Sequence, residues 1–205
     1  MTELQIETHK ELDAMCAYLT AYNFKLSENH VDGRVNSIHN EDELIIIIKE
    51  KFDILDPSAR NWADMHLTNY QPVNIKATTT HTADNASSKK GLYYAMTGEE
   101  YKGGEAWPGF LKALKVNMRD TDKDYYFLIA NKETGEVTWN SIKGVNTLTP
   151  NGSNLPFQIR WDKNKDYVQK SFNEVKKMVI GTLMDSLEKR AEAYNTAKVL
   201  FSEYD

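Results

Sequence analysis

A mixed α/β fold, with a central mixed β-sheet flanked by helices, is what the order of elements in this chain predicts. Three observations carry that expectation. An amphipathic stretch opens the chain, two strand-turn-strand stretches with helical segments between them fill its middle, and a long helical stripe closes it. The order helices, hairpin, helix, strands, helix indicates a sandwich rather than a doubly wound nucleotide fold. With 205 residues, 40% hydrophobic and 27% charged, the composition is that of a globular protein. The length suits one domain with a sizeable core.

Within residues 7–22, Leu12, Met15, Cys16 and Leu19 fall at helical spacing. The next stretch, SENHVDGRVNSIHN, is polar and turn-rich. In NEDELIIIIKEKF, Asn40 with Glu43 three residues on resembles a capping box, which favours helix over the buried strand that four isoleucines would suit. Trp62 to Leu67 reads as a strand, TNYQP as a turn and Val73 to Thr80 as a second strand. Asp84 or Asn85 is expected to cap a helix through ASSKKGLYYAM that stops at Thr97-Gly98, with a shorter helix through PGFLKALKV. DYYFLIANK and GEVTWNSIK are expected strands joined by a turn at Glu133 to Gly135, and Pro156 to Trp161 a further strand. From Lys165 to Phe201, Val168, Phe172, Val175, Val179, Leu183, Leu187, Ala191 and Tyr194 keep helical spacing, and Gly181 is a point at which the helix could break in two. Such a stripe is more often core packing than a dimer face.

No apolar run approaches the ~20 residues that span a bilayer, and the opening MTELQIETHKELD is acidic where a signal peptide would be basic and then apolar. A cytoplasmic location with no membrane partner is the expectation. One cysteine, Cys16, excludes an internal disulfide and a thiolate zinc site, and its apolar neighbours mark it as a buried thiol. The net charge is -5, yet it is unevenly spread: residues 1–59 carry 5 Lys/Arg against 12 Asp/Glu, and residues 60–119 carry 8 against 5. The middle of the chain is therefore compatible with a polyanionic partner.

The hairpin WADMHLTNYQPVNIKATTT places chemistry where an ordinary hairpin carries apolar or neutral residues. With its turn centred on residues 69 and 70, Asp64 falls across from roughly Ile75, beside Asn74 and Lys76, which share a face. A carboxylate, an amide oxygen and the main-chain carbonyl of Ile75 are hard oxygen ligands suited to Mg²⁺. A nearby lysine can orient or deprotonate an attacking water and offset developing negative charge. On spacing alone the other reading stays open: an Asp-Lys pair across a surface hairpin, contributing at most about 1 kcal/mol.

Asp64 followed ten residues later by Asn74-Ile75-Lys76 resembles the signature of the PD-(D/E)XK nuclease superfamily. Together with GRVNSIHNEDE before it and NGSNLPFQIRW after it, the run WADMHLTNYQPVNIKATTTHTADNASSKKGLYYAMTG is similar to a group of type II restriction endonucleases, over residues 33 to 161. The resemblance implies a restriction-endonuclease-like PD-(D/E)XK core with a long C-terminal helical segment. It divides one nuclease domain, 1–205, into N-terminal helices (1–60), catalytic core and DNA-recognition loop (61–161) and C-terminal helical segment (162–205). It puts Asp64 in the place of the metal-binding aspartate, Asn74 in that of the second acidic ligand, and Lys76 in that of the catalytic lysine. Glu41, or Glu43, takes the place of a helix glutamate that reaches the metal. Two departures stand out. Ala63 replaces the proline, which does no chemistry, and Asn74 replaces an acid, which removes a negative charge at the metal whether the asparagine is natural or an inactivating substitution.

The implied cofactor is Mg²⁺ and the implied partner double-stranded DNA, cut to 5′-phosphate and 3′-hydroxyl ends by a homodimer acting on a twofold site. The hydroxyls of Thr78, Thr79 and Thr80 suit phosphate contacts, as do Asn85, Lys89 and Lys90 at an expected helix start. The loop TLTPNGSNLPFQIR concentrates Asn151, Ser153, Asn154, Gln158 and Arg160, side-chain types matched to base edges in the major groove. Two alternatives remain at this point: a repair or junction nuclease of the same superfamily, and a DNA-binding protein left inactive by Asn74.

Overall fold

The computed structural model describes residues 1–22, 24, 33–55, 62–85 and 88–202, with the backbone alone at 33–39. Five strands form one mixed sheet in the order β1-β2-β3-β5-β6: β1 (Ile54–Leu55), β2 (Met65–Leu67), β3 (Pro72–Thr78), β5 (Tyr126–Asn131) and β6 (Val137–Ser141). The central pair β3 and β5 is parallel and the other neighbours are antiparallel. Between β3 and β5 the chain runs through β4 (Ala83–Asn85), α3 (Lys89–Thr97) and α4 (Trp107–Asn117). A second, two-stranded sheet pairs β4 with β7 (Gln158–Arg160). Among the described residues no helix is long and apolar enough to cross a membrane.

Each face of the main sheet buries a hydrophobic cluster, as a layered α/β arrangement requires. On one face α1 (Glu3–Tyr22) and α2 (Gly33–Lys49) press Leu12, Met15, Leu19, Leu44 and Ile48 onto Val73, Ile75, Tyr126 and Leu128. On the other, α3, α4 and α5 (Phe172–Leu200) cover Phe127 and Ile129 with Leu92, Phe110, Val175, Val179 and Leu183. Alternation along β3 follows: Val73, Ile75 and Ala77 are buried, while Asn74 and Lys76 point to the opposite face and are half-buried. Cys16 is buried, and burial pushes its thiol up to about 12, as an inert structural thiol requires.

Several expected boundaries move. Helix α2 begins at Gly33, so GRVNSIHN is helical rather than turn-like, and Asn40 lies inside the helix rather than capping it. The tetra-isoleucine run is helix because only one stripe is needed for the core: Ile48 is buried while Ile46 is 63% exposed. The remainder of the expected turn, residues 27–32, lies outside the described residues. Asp84 and Asn85 do not cap α3. They belong to β4, where the carboxylate of Asp84 accepts from the Trp161 indole N–H at 2.8 Å, and Ser88 caps the helix instead by accepting from the Gly91 amide at 3.3 Å. The helix stops where expected, at Gly98 with φ 74°.

The C-terminal helix starts later than the periodicity indicates, at a capping box in which Ser171 and Glu174 bond reciprocally. It then runs through Gly181 without a break to Leu200. Val175, Val179 and Leu183 pack in the core, whereas Ala191 and Tyr194 of the same stripe are exposed. A Cβ at Gly181 would meet nothing within 4 Å. Gly181→Ala is therefore expected to stabilise the protein by about 0.5–1 kcal/mol, the helix-propensity difference, measured as a shift in the denaturant midpoint at unchanged slope. A helix interrupted at this glycine in solution would give no gain.

Candidate functional site

The site is built where β2 leaves the sheet. Met65 pairs with Val73 and His66 with Pro72, and the Asp64 amide donates to the Val73 carbonyl at 3.1 Å. The register is thus one residue short of the pairing of Asp64 with Ile75 expected from a turn centred on 69 and 70. The difference comes from the turn. Residues 68–70 form a three-residue loop closed by the Leu67 amide on the Gln71 carbonyl at 3.0 Å, with Tyr70 at φ 64° and the Asn69 side chain accepting from the Gln71 amide at 3.2 Å.

Past Met65, β3 has no β2 partner on that edge. The Ile75 amide, which a longer β2 would pair, donates to Asp64 Oδ2 at 2.7 Å. A strand residue turns its N–H and C=O to the same edge, so the Ile75 carbonyl is presented there too. Lys76 Nζ lies 3.5 Å from Glu41 Oε1, both side chains about a fifth exposed at 20% and 21%. Glu41 is thus the helix glutamate that reaches the cluster; Glu43 is turned roughly 200° round α2. Asn74 hydrogen-bonds the Tyr125 phenol, whose own O–H donates to the Trp62 carbonyl at 2.7 Å. The Asn74 amide group must therefore be the donor to the phenol oxygen, and its Oδ1 is buried without a hydrogen-bond partner.

Acidic charge exceeds basic charge in this cluster. Burial pushes the Glu41 carboxyl up to about 7, with Lys76 opposing the rise and Asp64 and Asp42 adding to it. Burial also raises Asp64, against the favourable Ile75 amide and Lys76. Two carboxylates that resist ionisation, an orphaned amide oxygen and a main-chain carbonyl make a set of oxygen donors that a divalent cation would satisfy. Among the described residues no three His, Cys, Asp or Glu side chains converge as a metal site; this donor set has two carboxylates and depends on the amide of Asn74.

The residues expected to meet DNA divide into three groups. Thr78 is buried, with its hydroxyl bonded to Asp84 and to the Thr80 amide, so it fixes the end of β3 rather than offering a surface. Thr79 is half-buried, and Thr80 is buried at φ 68°. Asn85, Gln158 and Arg160 sit together on the two-stranded sheet: Gln158 donates to Asn85 Oδ1 at 3.2 Å, and Arg160 forms a two-pronged pair with Asp162 at 3.1 and 2.6 Å. Asn151 is turned inward, its Oδ1 accepting from the amides of Ser153 and Asn154, so it shapes the loop while Ser153 and Asn154 stand exposed. Lys89 is the first residue of α3 and bonds Glu105. Sequence reading misses Tyr125, Trp62 and Asp42, all of which act on the cluster. Tyr125 immediately precedes β5 in an apolar run, where nothing in the pattern distinguishes it from core.

A scan against models of protein families finds no match to the chain, and a search of the curated proteins finds no matching relative.

The raised Glu41 carboxyl has a sign that can be tested. Its folded value, about 7, lies above the ordinary carboxylate range, so the folded state binds the proton more tightly. Its contribution to stability is present at acid pH and is lost as pH rises from about 4.5 to 7. Without metal, Glu41→Gln is expected to flatten that decline and to exceed the parent in stability at pH 8 by on the order of 2 kcal/mol, measured by denaturant unfolding at pH 5 and pH 8. If the ion pair with Lys76 dominates instead, the variant will be the less stable at pH 8.

Proposed function

We propose that this chain is a Mg²⁺-dependent, sequence-specific endonuclease of double-stranded DNA, a type II restriction enzyme with a PD-(D/E)XK core, acting in the cytoplasm as a homodimer. One observation carries the reading: Asp64, Asn74 and Lys76 stand at one sheet edge, Glu41 of α2 reaches Lys76 there, and the Asn74 oxygen is buried with no hydrogen-bond partner. A hairpin ion pair needs no such oxygen.

Asp64, Asn74 Oδ1, the Ile75 carbonyl and Glu41 would hold the cation, which when bound supplies Lewis-acid polarisation of the scissile phosphate. Asp64 is held for this by the Ile75 amide on Oδ2, which leaves its other oxygen to face the ligand. Asn74 contributes through an oxygen whose orientation is fixed by its amide group on Tyr125. Lys76 extends from the same face toward Glu41, where its N–H donors orient a water and its charge offsets the negative charge developing on the phosphate. The exposed Ser153, Asn154 and Arg160 and the half-buried Gln158 are the side chains that would meet the duplex. An asparagine where the family has an acid lowers the negative charge at the metal, and Glu41 restores it when ionised.

Incubation with long duplex DNA and Mg²⁺ is expected to yield discrete fragments. Nicking confined to junctions or mismatches would point to a repair nuclease, and binding without cleavage to an inactive DNA-binding protein. Lys76→Ala should lower the cleavage rate by at least about 100-fold while gel-shift affinity measured in Ca²⁺ stays within a few-fold. Asn74→Asp should lower the Mg²⁺ concentration needed for half-maximal cutting. Undiminished cleavage by the Lys76 variant would sink the assignment.

A further inference from the structure

A cavity of about 490 Å³ opens beside the cluster, lined by Trp62, Lys89, Lys90, Trp107, Asn154 and Arg190 among others. We propose that it is a subsite for one unstacked nucleotide, with the base against the indole walls and the phosphate near Lys90 and Arg190. The inference rests on the nucleic-acid reading above, and its test separates the two.

The wall chemistry is that of a nucleotide site. Trp62 and Trp107 supply apolar area, and stacking on aromatic side chains accepts any base because every base has a π-face. Three cations, Lys89, Lys90 and Arg190, stand against one carboxylate, Glu105. Lys89 is held over the Trp107 ring, 5.1 Å from its centroid, and bonds both the carbonyl and the carboxylate of Glu105. Arg190 is held by the Gly152 and Ser153 carbonyls at 2.8 and 3.0 Å. Those bonds use two of its five N–H donors, so the guanidinium is fixed in place with donors left for an anion. Asn154, exposed on the same rim, offers an amide to the edge of a base. The volume lies within the roughly 300–1,000 Å³ of small-molecule sites.

Position joins this cavity to the cluster. The Trp62 ring lies 5.5 Å from that of Tyr125 at 27°, and Tyr125 bonds both the Trp62 carbonyl and Asn74. The two stacked rings of Trp62 and Tyr125 therefore link a base in the cavity to the Asn74 amide. A larger cavity, about 830 Å³, is bounded by Tyr93, Glu99, Glu100, Lys102 and Lys123. It includes none of the residues expected at DNA, and its two carboxylates oppose a phosphate.

The test titrates the full-length protein, without divalent metal, with 2′-deoxyadenosine 5′-monophosphate, with deoxyadenosine and with a single-stranded decanucleotide carrying one 2-aminopurine. Saturable quenching of tryptophan emission by the monophosphate and of 2-aminopurine emission in the oligonucleotide is expected. Quenching by the oligonucleotide alone also supports the subsite and assigns it to a nucleotide within a chain. Trp107→Ala should weaken binding about 5- to 100-fold. Should that variant fold poorly, Lys90→Glu on the surface should remove the preference for the monophosphate over the nucleoside. No quenching by any ligand, or variants that bind as the parent does, overturns the proposal. Plasmid cleavage in Mg²⁺ is read in parallel. Plasmid left intact beside Trp107-dependent quenching sinks the nuclease reading and keeps the subsite. Plasmid cut beside unchanged variant binding does the reverse.

Discussion

The short β2 strand is the constraint on which the site depends. A strand that continued past Met65 would pair the Ile75 amide and carbonyl in the ladder and leave no room for a side chain at that edge. Because β2 ends, the Asp64 carboxylate takes the Ile75 amide at 2.7 Å, and the edge of β3 remains open beside it. On its other side β3 is fixed by six parallel pairings with β5, so the opening costs the sheet little. Rigid backbone on one side and a missing neighbour on the other is how a sheet can present polar groups at fixed positions.

The electrostatics follow from that opening. Asn74 and Lys76 emerge on the face of β3 that also carries the Tyr125 and Phe127 side of the core, and α2 brings Glu41 and Asp42 to the same end. Burial raises the carboxyl of Glu41 to about 7, with Lys76 opposing the rise and Asp64 and Asp42 adding to it. A buried salt bridge of this kind is weak evidence for stability.

Much of this was legible in the sequence, and the failures have local causes. The ten-residue step from Asp64 to Asn74 and the two-residue step to Lys76 are properties of a hairpin and survived a register error of one residue. That error arose at Tyr70, whose left-handed φ of 64° nothing in TNYQP announces. Asp84 reads as a cap because a carboxylate before a helix and a carboxylate on a strand end look alike in sequence. Pairing with β7 and the distant Trp161 indole, 77 positions away, decide between them. The isoleucine run was resolved by its neighbours on α1 and the sheet. Arg190 gave no signal, since its bonds to Gly152 and Ser153 join segments 38 and 37 residues apart.

Those long-range bonds explain how the loop at 150–154 can hold its shape. Asn151 bonds two amides of its own loop and donates its backbone amide to Ser186 Oγ at 3.0 Å, four residues before Arg190 on the same face of α5. Ser186 in turn donates to the Thr182 carbonyl at 2.9 Å. A loop bonded at two successive turns of a helix whose earlier turns lie in the core inherits the position of that helix. The capping box at Ser171 and the buried Val175, Val179 and Leu183 therefore do more than close the hydrophobic cluster. They hold α5 still enough for Ser186 and Arg190 to set the loop beside Trp62, two residues from Asp64. Packing at the far end of the chain thereby sets the wall of the cavity that Trp62 lines.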